Sequence, residues 1–103
     1  MRCLALLAAL LSVVPSAALA APGTDLGAEV FRKKCAGCHG ADGNGGPRKL
    51  RPLGDAEVQA KTDEQLFDAV AKGTPDRRMA GFRGRLADSE IRAAVQHLRA
   101  LKP

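Results

Sequence analysis

Apolar residues recur at helical spacing in three stretches of the chain, and the last stretch is the most regular. Residues three and four positions apart share one face of an α-helix. The pattern predicts a helix that begins at Asp88 or Ser89 and buries one apolar face. That face contains Ile91, Ala94, Val95, Leu98 and Leu101.

The first stretch predicts a helix over about residues 25–34. Thr24 or Asp25 can serve as its N-cap, because a short polar side chain accepts a hydrogen bond from the first turn. This helix would end next to Cys35. Its apolar face contains Leu26, Val30 and Phe31.

The middle stretch predicts a helix over about residues 63–72. Thr62 followed three residues later by Gln65 is the signature of a capping box, and Gly73 is a natural C-terminal stop. The buried face would contain Leu66, Phe67 and Val70.

Two segments rich in Gly, Pro or Arg, residues 40–54 and 74–86, separate the three helices. The first of these is long for a structureless loop in a compact domain, so it is expected to be functional or held by a ligand. No stretch shows sustained strand alternation. The expected fold class is therefore all-α, with three main helices and two long loops.

The N-terminal residues 1–20 have the layout of a secretory signal peptide, with Arg2 before a Leu- and Ala-rich stretch and cleavage expected after Ala20. A membrane anchor is the alternative, but the apolar run is short for a span of about 20 residues. Residues 21–103 would form one exported, periplasmic domain. Losing Arg2 lowers the formal net charge from +5 to +4, and Cys3 is lost as well.

The remaining 83 residues are poor in large apolar side chains: 16 are Leu, Ile, Val, Phe or Met, and none is Trp or Tyr. Small domains with so little core usually need an additional stabilising element. The composition therefore makes a core completed by a large apolar cofactor plausible.

The segment Cys35-Ala36-Gly37-Cys38-His39 matches C-x-x-C-H, the attachment signature of c-type haem. The two thiols, Cys35 and Cys38, can add to the two vinyl groups of a porphyrin, and His39 can then bind the iron. The alternatives are a redox or stabilising disulfide and a zinc site. A redox disulfide would call for a nearby βαβ pattern, and zinc for four well-separated ligands.

A second axial ligand is expected on the other side of the iron. Met79 is the single methionine after the leader, and it lies in a Gly-, Pro- and Arg-rich loop. Its thioether would raise the reduction potential and close the site to other ligands. The alternatives are that Met79 fills the core, or that His97 in the last helix is the ligand.

In the order and spacing of these motifs, the sequence resembles the class I c-type cytochromes over essentially residues 21–103. The resemblance rests on CAGCHG, on Gly46-Pro47, and on MAGFRGRLADSEI before the last helix. It implies covalent haem bound through Cys35 and Cys38, with His39 and Met79 as axial ligands and the Pro47 carbonyl bonded to the second nitrogen of His39. It also implies that Gly27 permits the first helix to cross the last. His97 would pack there, where the family often has an aromatic residue.

The function expected from these features is that of a soluble one-electron carrier, not an enzyme. One alternative is an electron-transfer subunit of an exported dehydrogenase. Another is a ligand-binding or peroxidatic haem, if Met79 is labile; Ala80 stands where the family often has Pro. Basic residues near the haem-binding segments would steer an acidic redox partner. Export with a haem argues against nucleic acid, and no membrane span is expected after the leader is removed.

Overall fold

The computed structural model describes the backbone of residues 22–102 and the side chains from residue 26 onward. The predicted leader 1–20 lies outside the described residues and remains a prediction. Within residues 22–102, no helix combines the length and the apolar character needed to cross a membrane.

The described residues form five α-helices and one short 3₁₀ helix and contain no β-strand, so the all-α class is confirmed. Two isolated backbone bridges, Gly73–Ala80 and Arg83–Leu86, occur after the fourth helix. In chain order the helices are α1 (Pro22–Lys34), α2 (Ala36–His39), the 3₁₀ helix (Gly46–Arg48), α3 (Ala56–Gln59), α4 (Asp63–Lys72) and α5 (Asp88–Arg99).

The three main helices are those predicted, but the start of α1 differs. It begins at Pro22, so Thr24 and Asp25 lie within its first turn and the predicted cap is wrong. Proline suits this position, because its fixed φ is helical and its missing N–H would have no partner there. The start of α5 is Asp88 as predicted, whereas Leu101 lies beyond its C-cap Ala100.

The predicted capping box of α4 is present. The hydroxyl of Thr62 accepts the backbone N–H of Gln65 at 3.1 Å, and the Gln65 side chain accepts the N–H of Thr62 at 2.8 Å. Gly73 is the C-cap with φ +80°, a conformation that favours glycine.

Helices α1 and α5 cross at Gly27, which is buried. A Cβ at this position would overlap the carbonyl oxygen of Ala93 and lie 3.1 Å from Cβ of His97. Phe31, one turn further along α1, meets His97 with ring centroids 5.0 Å apart. The expected close crossing and the packing position of His97 are both observed.

Two apolar clusters of the core share helices α4 and α5. One is formed by Phe67, Ala71, Phe82 and Ile91. The other is formed by Leu66, Val95 and Leu98. Five half-buried residues pack against the edges of these clusters: Val70, Met79 and Leu86 on the first, and Leu53 and Val58 on the second.

The guanidinium of Arg99 ties the end of α5 to the segment between α3 and α4. It donates to the backbone carbonyl of Gln59 at 2.8 Å, to that of Lys61, and to the carboxylate of Asp63 at 2.9 Å. The Gln59 side chain donates to the carbonyls of Leu53 and Leu98 at 2.9 and 3.1 Å. These bonds fix the loop that follows the 3₁₀ helix.

Candidate haem site

The C-x-x-C-H segment forms the short helix α2 directly after α1. The N–H groups of Cys38 and His39 donate to the carbonyl of Cys35 at 3.2 and 2.9 Å. This turn places the two cysteines and the histidine on one short helical segment. Cys35 and His39 are half-buried, Cys38 is exposed, and neither thiol forms a disulfide.

These residues line a cleft of about 1090 Å³, which is larger than the pockets that hold most small ligands. A smaller cavity of about 100 Å³ shares Cys35, His39 and Met79 with it and extends toward the core. Both long loops contribute to the cleft, which agrees with the role expected of the 40–54 segment. The 40–54 segment supplies Arg48, Leu50, Arg51 and Leu53, and the 74–86 segment supplies Thr74, Asp76, Arg78, Met79, Ala80 and Phe82.

Burial sets the protonation of two groups in this cleft. Burial, and then the neighbouring Cys38, raise the pKa of the Cys35 thiol to about 11. Burial also lowers the pKa of His39, since the charged imidazolium loses its hydration. His39 is therefore held in the neutral form, which is the form that binds metals.

The Nδ1 atom of His39 is the one buried side-chain nitrogen or oxygen in the described residues that has no hydrogen-bond partner. Buried polar atoms normally have one, because leaving them unpaired is costly. The chain turns back onto His39 nearby: the N–H of Gly45 donates to the His39 carbonyl at 2.8 Å. Pro47 follows two residues later in the 3₁₀ helix, and the bond predicted for its carbonyl stays a prediction.

Met79 lies on the loop after α4 and lines both the cleft and the smaller cavity together with His39. It is half-buried and packs against the first core cluster, so it also fills space there. His97, the other candidate ligand, lies at the crossing of α1 and α5 and lines neither space.

Several residues of the cleft were not singled out in the sequence. Leu53 and Val58 line it from the segment around α3, which is too short to show helical periodicity. Asp55 was the available signal, since its side chain caps α3 by accepting the N–H of Val58 at 2.9 Å. Thr74 was also missed, although Thr-Pro-Asp is a sequence typical of a turn closed by side-chain hydrogen bonds.

The donor set fits covalent haem. Two thiols, a neutral imidazole and a thioether line one largely apolar cleft, and the imidazole has one nitrogen without a partner. By contrast, the described residues contain no group of three or more His, Cys, Asp or Glu side chains arranged around a metal ion, so they lend no support to the zinc alternative.

Fold and site together define the class of small all-α proteins that hold a haem through a C-x-x-C-H segment. A family model described as "Cytochrome C oxidase, cbb3-type, subunit III" matches residues 22–98. The chain belongs to this family and is a small class I c-type cytochrome, an electron-transfer protein with one covalently bound haem c. The predicted family and cofactor are confirmed.

Individual relatives agree with this assignment. The chain is 35% identical over 79 residues to cytochrome c-553 of Desulfomicrobium norvegicum, covering 72% of this chain and 94% of that protein. It is 33% identical over 88 residues to the dihydro-heme d1 dehydrogenase of Pseudomonas aeruginosa, covering 84% of this chain but 17% of that protein's length. The solved structure of the c-type cytochrome KustC0563 superposes with a TM-score of 0.68 at 33% identity, covering 75% of this chain and 98% of that one.

Proposed function

We propose that this protein is a soluble one-electron carrier whose haem iron is bound by His39 and Met79. The observation that carries the proposal is that both side chains line the same cleft as Cys35 and Cys38. Bound haem supplies an iron that cycles between the ferric and ferrous states. With His39 and Met79 as its ligands, the iron would have no free position for a substrate, and we therefore infer that the protein is not an enzyme.

His39 would bind the iron through Nε2, which would leave its buried and unpartnered Nδ1 to donate a hydrogen bond within the protein. We propose that the carbonyl of Pro47 accepts the Nδ1 proton. The bond between Gly45 and His39 supports this, because it brings the chain that carries Pro47 back to α2. Such a bond fixes the tautomer of the imidazole and strengthens it as a ligand.

The thioether of Met79 would complete the coordination from the other long loop. A methionine ligand raises the reduction potential of a His-bound haem. With residues 1–20 removed as a signal peptide, residues 21–103 would act in the periplasm, where c-type haem is attached.

The ligand assignment is tested by spectra of the purified haem protein. The wild type should show a ferric iron–thioether charge-transfer band, a positive midpoint potential and no binding of carbon monoxide to the ferrous form. Met79→Ala should lose the band, lower the potential and bind carbon monoxide. If the variant keeps the band, Met79 is not the ligand.

Leu86→Ala is the matched control for Met79→Ala. Leu86 packs against the same core cluster as Met79 but does not line the cleft. The control should lower the stability of the fold while leaving the band and the potential unchanged. Rapid carbon monoxide binding by the wild type would instead support a ligand-binding haem, the alternative in which Met79 is labile.

We further propose that the partner is an acidic redox protein that docks over the cleft. The cleft is lined by four basic residues, Lys34, Arg48, Arg51 and Arg78, and by one acidic residue, Asp76. Such an imbalance around a redox centre favours an acidic surface and disfavours wrong partners.

A second candidate is an electron-transfer subunit of an exported dehydrogenase. It is favoured by the similarity to the dihydro-heme d1 dehydrogenase, which this chain matches over 17% of that protein's length. Affinity purification from periplasmic extract separates the two candidates. A stable stoichiometric complex with a dehydrogenase supports the subunit, and recovery as a single chain supports the free carrier.

A further inference from the structure

The loop that carries Met79 is closed on itself by main-chain contacts. Gly73 and Ala80 form an antiparallel bridge at its base. Just inside this bridge, the N–H of Thr74 donates to the carbonyl of Met79 at 3.0 Å. Thr74 and Met79 therefore face each other across the neck of a six-residue loop, residues 74–79.

The side chain of Thr74 adds a second bond across this neck. Its hydroxyl accepts the backbone N–H of Met79 at 3.2 Å and donates its own proton to the carboxylate of Asp76 at 2.6 Å. A hydroxyl has one proton to donate and two lone pairs to accept with. Because the proton points to Asp76, a lone pair is free for Met79.

Two further hydrogen bonds lie within the same loop. The N–H of Arg77 donates to the carbonyl of Thr74 at 3.0 Å, and the N–H of Arg78 donates to the carboxylate of Asp76 at 3.1 Å. Arg77 has φ +60°, a left-handed conformation that non-glycine residues rarely adopt. A residue keeps such a conformation only where its surroundings enforce it.

We propose that Thr74 is the positioning residue for the axial ligand: its hydroxyl fixes the backbone of Met79 and so holds the thioether toward the iron. This inference rests on the proposed ligation by Met79. Thr74 would act through the backbone, and Met79 would be the group that touches the iron. The hydroxyl would then determine how firmly Met79 is held at the iron, and hence whether the haem only carries electrons or also binds small ligands.

The test compares Thr74→Val with Thr74→Ser in the haem-loaded full protein. Valine keeps the size of threonine but leaves the N–H of Met79 without its acceptor, which is costly for a half-buried group. We expect Thr74→Val to weaken the ferric iron–thioether band and to raise the rate of carbon monoxide binding by about tenfold. Thr74→Ser restores the hydroxyl and should return both values to those of the wild type.

Thr62→Val is the matched control, because the hydroxyl of Thr62 also accepts a backbone N–H, that of Gln65, but at the start of α4 and outside the cleft. It should lower stability without changing the band or the carbon monoxide rate. If Thr74→Val leaves both unchanged, or if Thr74→Ser fails to restore them, the positioning role is overturned.

Met79→Ala distinguishes failure of this inference from failure of the proposed function. If Met79→Ala abolishes the band while Thr74→Val does not alter it, the ligand stands and the positioning role is wrong. If Met79→Ala leaves the band in place, the proposed ligation itself is wrong and the role of Thr74 as its positioning residue is overturned with it.

Discussion

At the scale of single residues, Gly27 shows how one missing side chain sets a helix crossing. Its Cα lies so close to α5 that an added Cβ would overlap the Ala93 carbonyl oxygen. A backbone oxygen cannot rotate away as a side chain can. The importance of Gly27 came from the family resemblance, because helical periodicity alone gives no reason to single out one glycine of a predicted helix.

We expect Gly27→Ala to destabilise the protein by about 1–3 kcal/mol, the usual cost of overpacking. The better helix propensity of alanine, worth about 1 kcal/mol, opposes this but does not outweigh a backbone overlap. Urea unfolding of the haem-loaded protein measures the difference.

Gly37→Ala is the control for Gly27→Ala, since a Cβ at Gly37 meets nothing within 4 Å. It should leave the urea midpoint unchanged or raise it slightly. Equal loss of stability in both variants would show that the crossing does not depend on the missing Cβ.

At the scale of elements, the sequence predicted the helices that have a long apolar stripe and missed those that do not. Helices α4 and α5 carry their signals locally, in the Thr62 capping box and in the regular apolar face. Helices α2 and α3 have four residues each, too few for a periodic pattern. The position of α3 also depends on Arg99, which lies 40 positions beyond Gln59 and could not be paired with it from the sequence.

Within the haem site, too, the sequence could not show features that depend on contacts formed only in the folded chain. The ligand candidates were found because C-x-x-C-H and a single methionine are chemical signals that need no fold. For Thr74 the sequence Thr-Pro-Asp indicates only a turn, because its bonds to Met79 and Asp76 exist only once the loop has closed.

The ion pair between Asp63 at the start of α4 and Arg99 at the end of α5 should make the stability of the protein depend on pH in the acid range. The pKa of Asp63 is held below its ordinary value of 3.8, first by the hydrogen bond from Arg99 and then by that from Gln96. A carboxyl with a lowered folded pKa stabilises the protein above its unfolded pKa, and the contribution is lost as the pH falls through the folded pKa. We therefore expect Asp63→Asn to lower the urea midpoint at pH 7, and the two proteins to converge as the pH falls below 3.8.

Asp88→Asn is the control for Asp63→Asn. Asp88 is the first residue of α5 as Asp63 is of α4, so both carboxylates interact with a helix dipole. Within the described residues, Asp88 forms no ion pair. A loss of stability in Asp88→Asn as large as that in Asp63→Asn would assign the effect to the dipole and not to Arg99.

At the scale of the whole molecule, residues from the edges of both core clusters line the same cleft. Leu53 and Val58 from the edge of one cluster and Met79 from the edge of the other all line the cleft. Their half-buried apolar surface is what a covalently held haem would cover. The shortage of large apolar residues in the composition is consistent with this, since a haem in the cleft would complete the core.

The basic residues that line the cleft should affect the rate of electron transfer to a charged partner. Of the four basic residues that line it, Arg51 and Arg78 are ion-paired with Glu57 and Asp76. Lys34 and Arg48 form no ion pair within the described residues, so they contribute most to the field at the opening. We expect oxidation by an anionic iron complex to slow as salt rises, since charges further apart than the Debye length are screened.

Arg48→Gln should reduce this rate by about two- to threefold at low salt and leave it unchanged near 1 M salt, where the Debye length is about 3 Å. Lys61→Gln removes the same charge from an exposed position that does not line the cleft, and should have a smaller effect. Stopped-flow kinetics over a range of salt concentrations measures both. Equal effects of the two variants would mean that net charge alone steers the reaction, and that the opening of the cleft is not where the partner docks.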